Sequence, residues 1–153
     1  MTEAFANLRF QRRPSPVLPE HRPLFKIAQI VLVLHLASRA GRSSLARLHL
    51  FNWALKTPER GARLIKAVKT KKLDVSAWGF DPALAIALRY ACAEGLIVLS
   101  KGGYELTDMG LLFARSIIED QSMLNTEKEL LKNTGKGITE TMVDIVAKGW
   151  EAE

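Results

Sequence analysis

The chain has 153 residues, 48% of them apolar, and a single cysteine, Cys92; this is enough for one packed domain with terminal additions and excludes a disulfide framework within the chain. The net charge of +6 is spread unevenly: residues 1–72 hold 15 Lys/Arg against 3 Asp/Glu and residues 73–153 hold 7 against 13, so any nucleic-acid contact is expected from the first half. The charged, proline-rich start has no apolar run behind it, and the most apolar segment, 24–40, is too short to span a bilayer and is interrupted by Lys26, Gln29 and His35; with the lone cysteine, this predicts a cytoplasmic chain with no signal peptide and no membrane part.

Residues 1–23 read as an extended arm. Pro14, Pro16, Pro19 and Pro23 break helical runs, Arg9, Arg12 and Arg13 give it charge, and Phe5, Leu8 and Phe10 add apolar anchors for a partner. A first helix is expected over 24–40, apolar on most faces. It is either the central helix of the domain or has one face covered by another chain. Ser43 or Ser44 caps a second helix over 44–55, with Leu45, Leu48, Phe51, Ala54 and Leu55 inward and Arg47, His49 and Asn52 off that stripe. Pro58 starts a third helix, 58–71, with Leu64, Ile65 and Val68 inward and a basic outer face of Arg60, Arg63, Lys66, Lys69, Lys71 and Lys72. In the linker 73–81, Leu73, Val75, Trp78 and Phe80 are expected to pack back on the domain.

Asp81-Pro82 starts a fourth helix that ends at Gly95, the residue type suited to a left-handed C′ position. Leu96–Leu99 and Tyr104–Leu106 then read as two short strands joined across Gly102-Gly103, and Thr107 caps a fifth helix to 119, with Leu111, Leu112 and Ile118 as core. Helix, hairpin, capped helix is the order of a winged helix-turn-helix with a two-stranded β-wing. The expected architecture is therefore mainly α: an arm at 1–23, a winged-helix domain at 24–120 and a C-terminal helical extension at 121–153. Two helices are expected in that extension, 126–133 and 138–148, the second with Ile138, Met142, Ile145 and Val146 on one stripe that packs on the domain or on a partner.

Nothing in the pattern argues for catalysis or a cofactor. His21, His35 and His49 are separated from one another and from Cys92 by more than metal-ligand spacing. Gly135-Lys136-Gly137-Ile138-Thr139 lacks the full phosphate-loop spacing and a preceding strand. The fourth helix, which a winged helix lays in the major groove, carries Arg89 as its one basic residue and no Asn, Gln or Lys to read base edges. Its Leu84, Ile86, Arg89 and Tyr90 suit a protein surface better. The basic face of the third helix suits phosphate contacts without sequence readout, or an acidic partner.

The segments Leu48 to Leu55 (LHLFNWAL), Phe80-Asp81-Pro82, Ala93-Glu94-Gly95-Leu96-Ile97 and Leu106-Thr107-Asp108-Met109-Gly110 together resemble the small accessory, or middle, components of bacterial ABC-ATPase three-component systems, including Lamassu-type anti-phage defence. The resemblance implies a non-catalytic adaptor in a hetero-oligomer, binding an SMC- or Rad50-like ATPase and a nuclease effector and helping couple DNA sensing to activation; sequence-independent DNA contact is the expectation from the basic third helix. No catalytic residue carries over, and LHLFNWAL has no assigned chemical role. The alternative from fold and charge is a dimeric winged-helix transcription regulator.

Overall fold

The fold was analysed in a computed structural model, which describes residues 22–151. Helix α1 (Pro23–Leu36) begins with proline in its first turn, where the missing N–H has no intrahelical partner to lose. It stops short of Gly41. The Ala37 N–H and the Ser38 hydroxyl both donate to the Val33 carbonyl, at 3.0 and 2.8 Å, closing the last turn. A 3₁₀ turn follows, Arg39–Gly41, in which Ala40 and Gly41 have positive φ, and it feeds strand β1 (Arg42–Ser44). The chain continues as α2 (Leu45–Ala54), α3 (Pro58–Thr70), a connector over 71–81, α4 (Pro82–Ala93), β2 (Ile97–Ser100), β3 (Gly103–Leu106), α5 (Asp108–Glu119), α6 (Asn125–Thr134) and α7 (Glu140–Glu151).

Three helices start on the side chains expected to cap them, and α3, expected only to open on Pro58, is capped by Thr57. Ser44, Thr57, Asp81 and Thr107 accept the N–H groups of Arg47, Arg60, Ala83 and Gly110 at 3.0–3.2 Å, each satisfying a donor that the first turn leaves open. Thr107 also donates toward the carbonyls of Gly95 and Leu96, which ties the base of the hairpin to the end of α4.

The protein is mainly helical with one three-stranded antiparallel sheet, order β1-β3-β2, compatible with the expected winged helix-turn-helix. The expected hairpin is present, with Ile97 opposite Leu106 and Leu99 opposite Tyr104. The third strand was not expected. Ser43 lies opposite Tyr104 and Ser44 opposite Gly103, and β1 comes so close there that a Cβ on Gly103 would overlap the Ser43 carbonyl. Gly103 thus serves strand approach, while Gly102 takes the positive φ of the turn.

Helix α1 is central, and its cover comes from this same chain: α2, α4, α5 and α6 pack around it. Val31, Leu32 and Leu34 are fully buried, joined in one core by Leu50 and Phe51 of α2, Leu64 of α3, Ala87 and Ala91 of α4, Ile97 of β2 and Ala114 of α5. Leu131 of α6, Ile138 and Val143 of α7 belong to the same core. The end of α7 is pinned to the connector. The Trp150 indole donates to the Ser76 carbonyl at 2.5 Å and meets Trp78 edge-on at 4.6 Å between centroids.

Several inward assignments shift. Leu112 is exposed, and α5 buries Gly110, Ala114 and Ile117 instead. Ile145 is exposed where Val143 is buried. Leu73, Val75 and Trp78 pack inward as expected, but Phe80 stands exposed with its ring 4.9 Å from that of His49. Arg47, His49 and Asn52, expected off the buried stripe of α2, are all buried, because α2 is covered on its outer side by the connector and by α7. Among the described residues no helix is long and apolar enough to cross a membrane.

Candidate interaction surfaces

The basic face is built by α3. Gly61, Leu64 and Ala67 bury one side of the helix, which turns the cations to the other. Arg63, Lys66, Lys69, Lys71 and Lys72 are exposed, and none of them forms an ion pair among the described residues. Lys71 closes the helix in the left-handed conformation, φ 58°, so it and Lys72 extend the positive surface past the last turn. Arg60 behaves differently. Its guanidinium lies over the Trp53 ring at 5.0 Å from the centroid and its Nη1 reaches the Trp53 carbonyl at 3.5 Å, so it is half-buried against α2.

The apolar surface is built by α4, the hairpin and α5. On α4, Ile86 is 47% and Tyr90 52% exposed, with Arg89 exposed between them. Leu84 does not belong to this surface: it is 2% exposed and packs in the core. The surface extends to residues that strand and helix patterns hid. Val98 and Leu99 on β2 are exposed, Leu99 to 74%, although their apolar run reads as buried. On α5, Met109 and Leu112 are exposed, and the Met109 sulfur lies 3.9 Å from where a Cβ on Gly95 would sit, next to the end of α4. Phe5, Leu8, Phe10, Arg9, Arg12 and Arg13 lie outside the described residues.

Between α1, α2 and α4 lies a buried polar cluster that the sequence did not announce. The Lys26 ammonium donates to Asn52 Oδ1 at 2.6 Å, and the Asn52 amide donates to Asp81 Oδ2 at 2.9 Å. Lys26 and Lys56 approach the same carboxylate at 3.7 and 3.3 Å. Burial alone would raise the Asp81 pKa, but the Asn52 amide, the Ala83 N–H and the two lysines outweigh it and hold the carboxyl at about 2. His49 accepts the Asp81 N–H at Nδ1, 3.5 Å away, and its Nε2 has no partner among the described residues. Burial lowers the pKa of His49 against the opposing pull of Asp81. The cluster fixes the start of α4 to α1 and α2. This gives the LHLFNWAL segment a structural role: His49 and Asn52 lock the connector, and Leu48, Leu50, Phe51 and Ala54 fill the core.

A second buried polar group centres on Arg47, 3% exposed. Its Nε donates to the Ile138 carbonyl at 2.7 Å, Nη1 to the hydroxyls of Ser38 and Ser43 at 2.8 and 3.4 Å, and Nη2 to the Ala37 carbonyl. Its guanidinium lies 4.8 Å over the Phe51 ring. Burial lowers its pKa to about 10, partly offset by Glu140, and it stays charged at neutral pH.

Burial raises the pKa of the Cys92 thiol, which suits a packed side chain better than a nucleophile. Among the described residues no group of three or more His, Cys, Asp or Glu is placed to hold a metal ion. No protein-family model matches the chain, and neither a curated protein nor a solved structure matches it.

Proposed function

We propose that the chain is a non-catalytic, cytoplasmic adaptor subunit with a winged-helix body, joining an SMC- or Rad50-like ATPase to a nuclease effector in an anti-phage defence complex. The observation that carries the adaptor reading is the outer face of α4. Where a base-reading helix would present amides and cations, Ile86 and Tyr90 are exposed with Arg89 alone for charge. Val98, Leu99, Met109 and Leu112 add apolar surface on the hairpin and α5, a composition suited to a protein partner. The class of partner rests on the resemblance of the segments quoted above. The exposed cations of α3 supply sequence-independent phosphate contact alongside it.

The test is affinity purification of the tagged full chain from its native host, with and without nuclease treatment. Recovery of a stoichiometric ATPase in both samples, lost in the double variant Ile86→Glu/Tyr90→Glu, is the expected result. Recovery of DNA with no stoichiometric protein would overturn it. The observation that favours the dimeric regulator is the set of exposed α3 cations without ion pairs among the described residues, and that reading requires an operator bound far more tightly than random duplex.

A further inference from the structure

Arg47 is a buried cation that makes no direct ion pair among the described residues. Its four hydrogen bonds all go to neutral oxygens. Glu140 is the acid that acts on it, but the Glu140 carboxylate is engaged elsewhere, with Oε1 accepting the Ser44 N–H at 2.9 Å. Arg47 lines a cavity of about 260 Å³ together with Arg39, Arg42, Lys136, Thr139 and Glu140. Four cations face one carboxylate there.

The start of α7 opens on the same cavity. Thr139 Oγ1 accepts the Met142 N–H at 3.2 Å, whereas the N–H groups of Glu140 and Thr141 have no acceptor among the described residues. A helix start alone would mean little; here it adds donors to a site already rich in positive charge around a buried guanidinium. The volume lies below the roughly 300–1,000 Å³ of pockets for drug-sized ligands, which suits a small group with several acceptor oxygens. Arginine forks match such oxygens in geometry as well as in charge.

The geometry points to a phosphate-binding site in this cavity, where Arg39, Arg42 and Lys136 hold a phosphate group beside Arg47 and the start of α7. A larger cavity of about 510 Å³ shares Arg39, Arg42 and Glu140 and continues to Lys101 at the hairpin turn, with Asp144 as its second acid. The phosphate group can therefore be a free anion or one link of a nucleic-acid backbone leaving along that path. This site is separate from the α3 face and does not rest on the adaptor reading.

The experiment titrates the full chain with inorganic phosphate against chloride at equal ionic strength, following the backbone amide signals of Glu140 and Thr141 and the thermal midpoint. Saturable shifts and a raised midpoint are expected. Arg39→Ala and Lys136→Ala, both at exposed positions, should each weaken binding by about tenfold, while Lys66→Ala/Lys69→Ala leaves it unchanged. Displacement of phosphate by a random duplex supports the site with a backbone phosphate as its occupant; phosphate binding without displacement supports it with a free anion. No saturable response to phosphate, or a response that both cavity variants retain in full, overturns the proposal.

Discussion

Helices α2 and α3 follow one another in the chain and treat polar side chains in opposite ways. Helix α3 sorts them: Gly61, Leu64 and Ala67 go inward, and Arg63, Lys66 and Lys69 face solvent. Helix α2 leaves Leu45, expected inward, exposed, yet buries Arg47, His49 and Asn52 along with Leu48 and Leu50, and each of the three polar side chains is met by a partner from far along the chain. The difference is one of cover. Solvent takes the outer side of α3, whereas the connector and α7 close over α2. A charge on α3 is thus surface electrostatics, free to meet a partner, while a charge on α2 is part of what holds the fold together.

The largest effect that would break this contrast is expected at Arg47. Arg47→Ala leaves the carbonyls of Ile138 and Ala37 unpaired and opens a void beside Phe51. It should cost about 3–5 kcal/mol in urea unfolding. A loss below about 1 kcal/mol would place this guanidinium among ordinary surface charges. Asp81 comes next. Asp81→Asn removes the carboxylate that Lys26, Lys56 and Asn52 share and should cost about 1–3 kcal/mol at pH 7.

Asp81 also sharpens the contrast through pH. Its folded pKa of about 2 lies below the ordinary 3.8, so its contribution is fully present above that ordinary value and is lost as the pH falls from there toward 2. In acid titration of stability, Asp81→Asn should flatten that part of the curve. A variant that follows the parent curve there would mean the carboxyl is not held by the cluster.

What could be read in the chain was local. Ser44, Asp81 and Thr107 sit directly before apolar periodicity, and the cap geometry needs nothing beyond the next few residues. The basic face of α3 was legible because it meets solvent; of its expected inward stripe Leu64 is buried, whereas Ile65 and Val68 are half-buried and Gly61 and Ala67 sit deeper. The outer side of α2 was not, because its cover arrives from Ile138 and from the connector, and no pattern within α2 records that. Strand β1 has three residues, too few for alternation to show, and its pairing depends on the absence of a side chain at Gly103. Of the surfaces, the cations of α3 and the exposed Ile86 and Tyr90 could be named from spacing. The cavity around Arg47 could not, since Arg39, Arg42 and Lys136 come together through the turn after α1 and the approach of α7.

Arg60 lies between the two regimes. It belongs to α3 by sequence but is stacked on Trp53 of α2. Arg60→Ala should cost about 0.5–1 kcal/mol, the range of a partly exposed cation over an aromatic ring. Thermal unfolding alongside Arg63→Ala gives the comparison directly: equal small losses would show that the stacking contributes nothing.

The smallest effect on stability is expected where the effect on binding should be largest. Lys66 and Lys69 are exposed and have no ion pair among the described residues, so Lys66→Ala/Lys69→Ala should leave unfolding free energy within about 0.5 kcal/mol of the parent. If α3 contacts a phosphate backbone, the same variant should lower affinity for random duplex uniformly across sequences. It should also reduce the slope of log affinity against log salt by about 2, near 0.9 for each phosphate no longer neutralised. A slope that stays put while stability falls would reverse the roles of the two helices, making the α3 lysines structural and leaving the cavity beside Arg47 as the place for phosphate to bind.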